Sequence, residues 1–168
     1  MLTEAIELTL FPAMMAFAAS SDLLTMTIAN RVSLILIAGF AVLALLCGMS
    51  AADLMSHLGA AALVLAVAFG CFAFGWIGGG DAKLAAATAL WLGFGHLLDY
   101  LLYASILGGA LTILIIEFRR WPLPRFLAGQ VWAERLHQEG GGVPYGIALA
   151  AAALLVYPQT QWMMSAGT

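Results

Sequence analysis

A succession of long apolar stretches with almost no charge inside them limits what this chain can fold into more than any other feature. A helix that crosses a bilayer needs about 20 mostly apolar residues. About six stretches reach or approach that length: Ala5 to Ser20, Val32 to Met49, Leu58 to Ile77, Leu84 to Leu98, Leu101 to Ile116, and Tyr145 to Met164. In lipid every backbone polar group must find its partner within the protein, so such runs are helices. The expected fold is all-α, a polytopic membrane bundle of about six transmembrane helices. Composition excludes the alternative: 64% of the 168 residues are hydrophobic and 9% charged, against about 25% charged in a soluble domain.

The fourth and fifth stretches are short and separated only by Asp99 and Tyr100, which predicts a tight hairpin at that pair, the alternative being a single broken or re-entrant element. The first twenty residues carry Glu4 and Glu7 where a signal peptide needs a basic leading segment, so they read as a retained membrane helix. Arg31 falls in the first loop, Lys83 in the third, and Arg119, Arg120, Arg125 and Arg135 in the fifth. By the positive-inside rule the odd loops are cytoplasmic and both termini face outward. One membrane domain is expected over residues 1–168, with an interfacial segment at about 117–142. There Trp121, Phe126, Leu127, Val131, Trp132 and Leu136 interleave with Arg and Glu, the pattern of a short helix on the headgroups or of a surface that meets a partner.

The net charge of −3 and the scattered basic residues give no face for nucleic acid; the bulk composition implies lipid as partner. Cys47 and Cys71 lie in apolar runs without metal-ligand spacing, and His57, His96 and His137 are isolated. No metal and no cofactor is expected.

The two aspartates are the informative charges. Asp22 follows the first apolar stretch and Asp81 the third; since the second helix leaves and the third returns, both arrive at one membrane face. Burying an ionisable group at bilayer depth costs about 2.5–3.5 kcal/mol, so such groups persist where they face a bundle interior or a wet cavity. Asp22 alone says little, because Ser20-Ser21-Asp22 also suits the end of a helix or the cap of the next segment. Asp81 says more, because it follows Gly78-Gly79-Gly80, a run that lets backbone unwind beside a carboxylate and marks a wet pocket. Two carboxylates held together share a proton: one takes a proton from water while the other polarises a scissile carbonyl. Lys83 either anchors its loop or tunes this pair.

Three segments together resemble the type IV prepilin peptidase family: Ser21-Asp22 through Ala29-Asn30-Arg31, Gly78-Gly79-Gly80-Asp81-Ala82-Lys83, and Gly142-Val143-Pro144-Tyr145-Gly146. Within it the match is to the short CpaA/TadV-like branch that serves tight-adherence (Flp) pili. The resemblance implies an aspartic endopeptidase of the bacterial inner membrane with Asp22 and Asp81 catalytic, supported by Gly78, Gly79, Gly80, Lys83 and Asn30. It also implies prepilins and pseudopilins as substrates, cut at the cytoplasmic face where a short basic leader meets an apolar helix. Ala29 stands where the family usually has proline, which removes a rigid turn from the loop after Asp22. Longer members carry a cysteine-bearing insertion and methylate the new pilin N-terminus; without the cysteines, peptidase activity alone is expected. The Val143-Pro144-Tyr145-Gly146 element either packs beside the site or simply starts the last helix.

Two rivals remain. A presenilin-like intramembrane protease also uses a Gly-x-Gly-Asp element, but its first aspartate follows a tyrosine. A transporter or assembly scaffold would carry inverted repeats and charges near the midplane.

Overall fold

The computed structural model describes residues 2–165, and among these the secondary structure is helical throughout. The helices are α1 (Leu2–Thr25), α2 (Asn30–Leu46), α3 (Ala51–Ala73), α4 (Gly79–Arg120), α5 (Val131–His137), α6 (Tyr145–Val156) and α7 (Gln161–Ser165), with a 3₁₀ turn at Tyr157–Gln159. Among the described residues three segments are long and apolar enough to cross a membrane: Ile6–Thr25, Ala51–Ala73 and Gly79–Arg120. Asn30–Leu46 and Tyr145–Gln159 are apolar but shorter, so length and composition do not carry the expectation of six spans. The termini, Met1 and 166–168, lie outside the described residues.

The expected hairpin is corrected in position. Asp99 and Tyr100 are helical, Asp99 exposed and Tyr100 fully buried. The chain reverses instead at Gly93, whose φ of 64° and ψ of −178° belong to a region that only glycine enters freely. Asp81 lies at one end of the first arm, Gly93 packs on His57 at the other, and the second arm returns to Gly108 beneath the Tyr145 ring. Tyr145 Oη donates to the Ala104 carbonyl (3.2 Å), tying α6 to that returning arm.

Breaking a helix in apolar surroundings exposes backbone groups that must be answered. His57 Nδ1 lies 2.7 Å from the Leu90 carbonyl. Trp162 Nε1 donates to the Trp91 carbonyl (2.8 Å), and the Phe94 N–H donates to Ser56 Oγ (3.3 Å). Trp91 itself donates from Nε1 to the Leu36 carbonyl (2.9 Å). Around it Phe11 stacks on Tyr157 at 4.4 Å, and Phe40 meets Trp162 edge-on. This aromatic layer is buried and His57 packs within it, so His57 serves the fold.

The last apolar run is broken as well. Pro158 places a 3₁₀ turn between α6 and α7, and Thr160 is extended, because proline cannot continue the hydrogen-bond ladder. The first arm of α4 is the central element: Leu84 through Leu92 are all buried, four of them alanines, which lets α3 and α6 approach closely.

Candidate functional site

The aspartates sit in helix ends, not in the loops beyond them. Asp22 occupies the last turn of α1. That helix stops because Met26 takes a left-handed φ of 56°, with its N–H bonded to the Asp22 carbonyl (2.8 Å), a helix-terminating geometry more usual for glycine. Ser21 Oγ then donates to the Thr27 carbonyl (2.9 Å), and Thr25 Oγ1 lies 2.7 Å from Thr27 Oγ1. The loop after Asp22 is thus held without proline. Ala29, which caps α2, has φ −66° and ψ 138°, the φ that a proline ring would impose. The expected loss of a rigid turn is not seen; the backbone keeps the turn on its own.

The glycine run is also corrected. Gly78 is the extended residue before α4, Gly79 and Gly80 open the helix, and none of the three has a positive φ. Their value is closeness. A Cβ on Gly80 would meet Ile28 at 3.2–3.4 Å, including its backbone N and O. A Cβ on Gly78 would lie 2.9 Å from Asp81 Oδ2. Asp81, in the first turn of α4, is thereby pressed against the Asp22 loop.

Both carboxylates line one cavity of about 280 Å³ with Met26, Thr27, Ile28 and the three glycines. Asp22 is 5% exposed, and its Oδ2 accepts the Gly146 N–H at 2.8 Å. Asp81 Oδ1 is buried without a hydrogen-bond partner. A buried carboxylate oxygen left unanswered is costly, and at a cavity wall it is poised to meet a donor brought from outside.

Gly146 is the site residue that residue chemistry alone does not single out. A Cβ there would come within 2.8 Å of Asp22 Oδ2 and 2.6 Å of Ile28 Cδ1, so glycine alone gives Asp22 this donor. Its signal is its place after Pro144-Tyr145; Tyr145 itself turns away toward Ala104.

Lys83 and Asn30 lie beside the cavity. Lys83 Nζ donates to Asn30 Oδ1 (2.8 Å), joining the start of α4 to the start of α2; this contact anchors and does not touch either aspartate. Arg135 reaches the Leu24 carbonyl at the end of α1 (3.2 Å), and Arg119 donates to the carbonyls of Leu136 and Gly142 (2.7 and 2.8 Å). The 121–142 segment, with its short helix α5, therefore folds over the aspartate end. Trp121, Phe126 and Val131 stay 66–80% exposed. Lys83, Arg31 beside Asn30, and the arginines of this segment all belong to that end. Asp53, held by Ser50 at the N-terminus of α3, lies at the opposite end and shares a cavity with His57 and His96. Among the described residues no group of three or more His, Cys, Asp or Glu could hold a metal ion.

Residues 9–113, more than half of the chain and including both aspartates, match a protein-family model described as the type IV leader peptidase family. No curated protein and no solved structure matches the chain.

Proposed function

The chain belongs to the type IV leader peptidase family, and we propose that it is a membrane aspartic endopeptidase that removes the leader of Flp-type prepilins with Asp22 and Asp81 as its catalytic pair. The observation that carries this reading is the single cavity lined by both carboxylates, one oriented by a backbone N–H and the other with an oxygen unpartnered. The scissile peptide enters with its carbonyl toward the pair. One carboxylate takes a proton from the attacking water as the new C–O bond forms. The other, protonated, gives its proton to the carbonyl oxygen, and the C–N bond breaks as a proton passes to the leaving amine. No nucleophilic side chain and no metal enters this sequence of steps.

The clustering of basic residues at the aspartate end supports a cytoplasmic active site in a bacterial inner membrane. There a basic leader meets the site from the aqueous side, while the apolar part of the substrate stays in lipid.

The test is co-expression with a Flp-type prepilin, following leader removal by gel shift and N-terminal sequencing. Asp22→Asn and Asp81→Asn at matched membrane levels are each expected to abolish cleavage, a loss of about 10²–10⁴ or more for a lost acid–base group. Wild-type processing by either variant removes that aspartate from the mechanism. A scaffold tolerates both.

A further inference from the structure

Helices α2 and α3 are joined by the short stretch 47–50, yet they scarcely touch each other; each packs on α4 instead. Between them runs an open trough of about 600 Å³, floored by the first arm of α4. Each wall is one helical stripe. On α2 it is Asn30, Ser33, Leu34 and Ile37; on α3 it is Leu58, Ala61, Ala62 and Leu65. The floor is Lys83, Ala86, Ala87 and Leu90. A second cavity of about 330 Å³ shares Ile37, Leu58 and Leu90 and carries the trough on to Ala44 and Leu45. From Asn30 to Leu45 the trough is about 22 Å long at 1.5 Å per residue.

The trough begins where the aspartate cavity ends. Ile28 lines the cavity and Asn30 the trough; Asp81 lines the cavity and Lys83 the trough. The cavity of about 280 Å³ takes only the residues around a bond to be cut, so the rest of a polypeptide must lie along the outside of the bundle. Wall stripes at i, i+3, i+4 and i+7 over a floor with two alanines at its centre fit the side of a single apolar helix.

The geometry points to the α2–α3 trough as the docking site for the apolar helix that follows the cleaved bond of the substrate. This inference rests on the peptidase reading above. It makes α2 and α3 the elements that measure the distance from the membrane interior to the aspartates, and it makes Ala62 and Ala87 determinants of substrate binding.

Ala62 is exposed in the trough, whereas its neighbour Leu63, 51% exposed, is outside it. The whole protein is reconstituted and given two probes: a Flp-type prepilin, and a soluble peptide of its leader junction lacking the apolar helix. Ala62→Trp is expected to raise KM for the prepilin about tenfold, the order of one displaced apolar contact, with kcat kept and the junction peptide cut as by wild type. Leu63→Trp is expected to leave both unchanged. Prepilin processing by Ala62→Trp at the wild-type KM overturns the inference and leaves lipid as the only filling of the trough. Binding is read separately, without turnover, by a photo-crosslinking phenylalanine placed at Ile37 in the Asp81→Asn background, with Leu102 on the second arm of α4 as control. Capture of the prepilin from Ile37 but not from Leu102 is the expected result. Capture without any cleavage by the wild type defeats the peptidase reading while the trough stands; no capture from Ile37 defeats the trough even where cleavage occurs.

Discussion

The two ends of the first arm of α4 face the same difficulty, since each leaves helical backbone without its regular continuation inside apolar surroundings, yet they are built in opposite ways. At Gly93 each exposed group described above has a side-chain partner: Leu90 O has His57, Trp91 O has Trp162, and Phe94 N has Ser56. At Gly78 the helix start has only Asp81 Oδ2 close to its backbone, and Asp81 Oδ1 is left alone at a cavity wall. A protein that seals one break so thoroughly has the means to seal the other. The unsealed end is where groups are kept available for something that arrives from outside.

The sharpest way to break this contrast is at the join between α6 and the open end. Gly146→Ala drives a Cβ to 2.8 Å from Asp22 Oδ2, and a catalytic group displaced by about 1 Å loses on the order of 100-fold in rate. The expected loss in kcat/KM, measured on a prepilin, is of that size. A variant with wild-type turnover shows that Asp22 does not depend on this donor.

The sealed end should respond in stability instead. Gly93→Ala imposes a side chain at φ 64° and at 3.1–3.2 Å from the His57 ring, costing about 1–3 kcal/mol, to be read from thermal unfolding in detergent. Cleavage below the transition should stay near wild type, and a selective fall in kcat without a fall in Tm contradicts the division of the two ends. His57→Phe keeps the aromatic packing against Phe40 and Trp162 but leaves the Leu90 carbonyl unanswered, for a smaller loss of about 1–2 kcal/mol. If Tm is unmoved, that carbonyl has another partner.

The smallest effect is expected at Ala29, which already has the φ of proline. Ala29→Pro should stabilise by about 0.4–1 kcal/mol through the unfolded chain, with activity kept. A fall in Tm means that the Ala29 N–H or the space around it matters.

The aspartates were legible in the sequence because charge is so rare in this chain that two acids at matched points of an apolar pattern stand out. Counting apolar stretches was enough to bring them to one end. The reversal at Gly93 was not legible, because Leu92-Gly93-Phe94 is apolar throughout and hydropathy carries no information about φ. Asp99-Tyr100 drew the expected turn as the polar interruption, yet a helix that keeps Asp99 exposed and Tyr100 inside passes through it without a break. Pro158 was a usable signal that the last apolar run is not one helix. The glycine run was read as freedom of backbone and is in fact freedom from side chains, a distinction that only the approach of Ile28 makes visible. Gly146 stood in plain view within a motif, but its role depends on a partner 124 positions earlier.

That separation bears on how the protein is made. Asp22 lies in α1 and its backbone donor in α6, 124 positions later, so a chain on which α6 has not yet been made holds both aspartates but lacks this contact. The hydrogen bond between them is a contact of very high sequence separation, the kind that forms late. The Asp22–Gly146 arrangement is then completed only with the docking of α6, after the helices that carry both aspartates have been made.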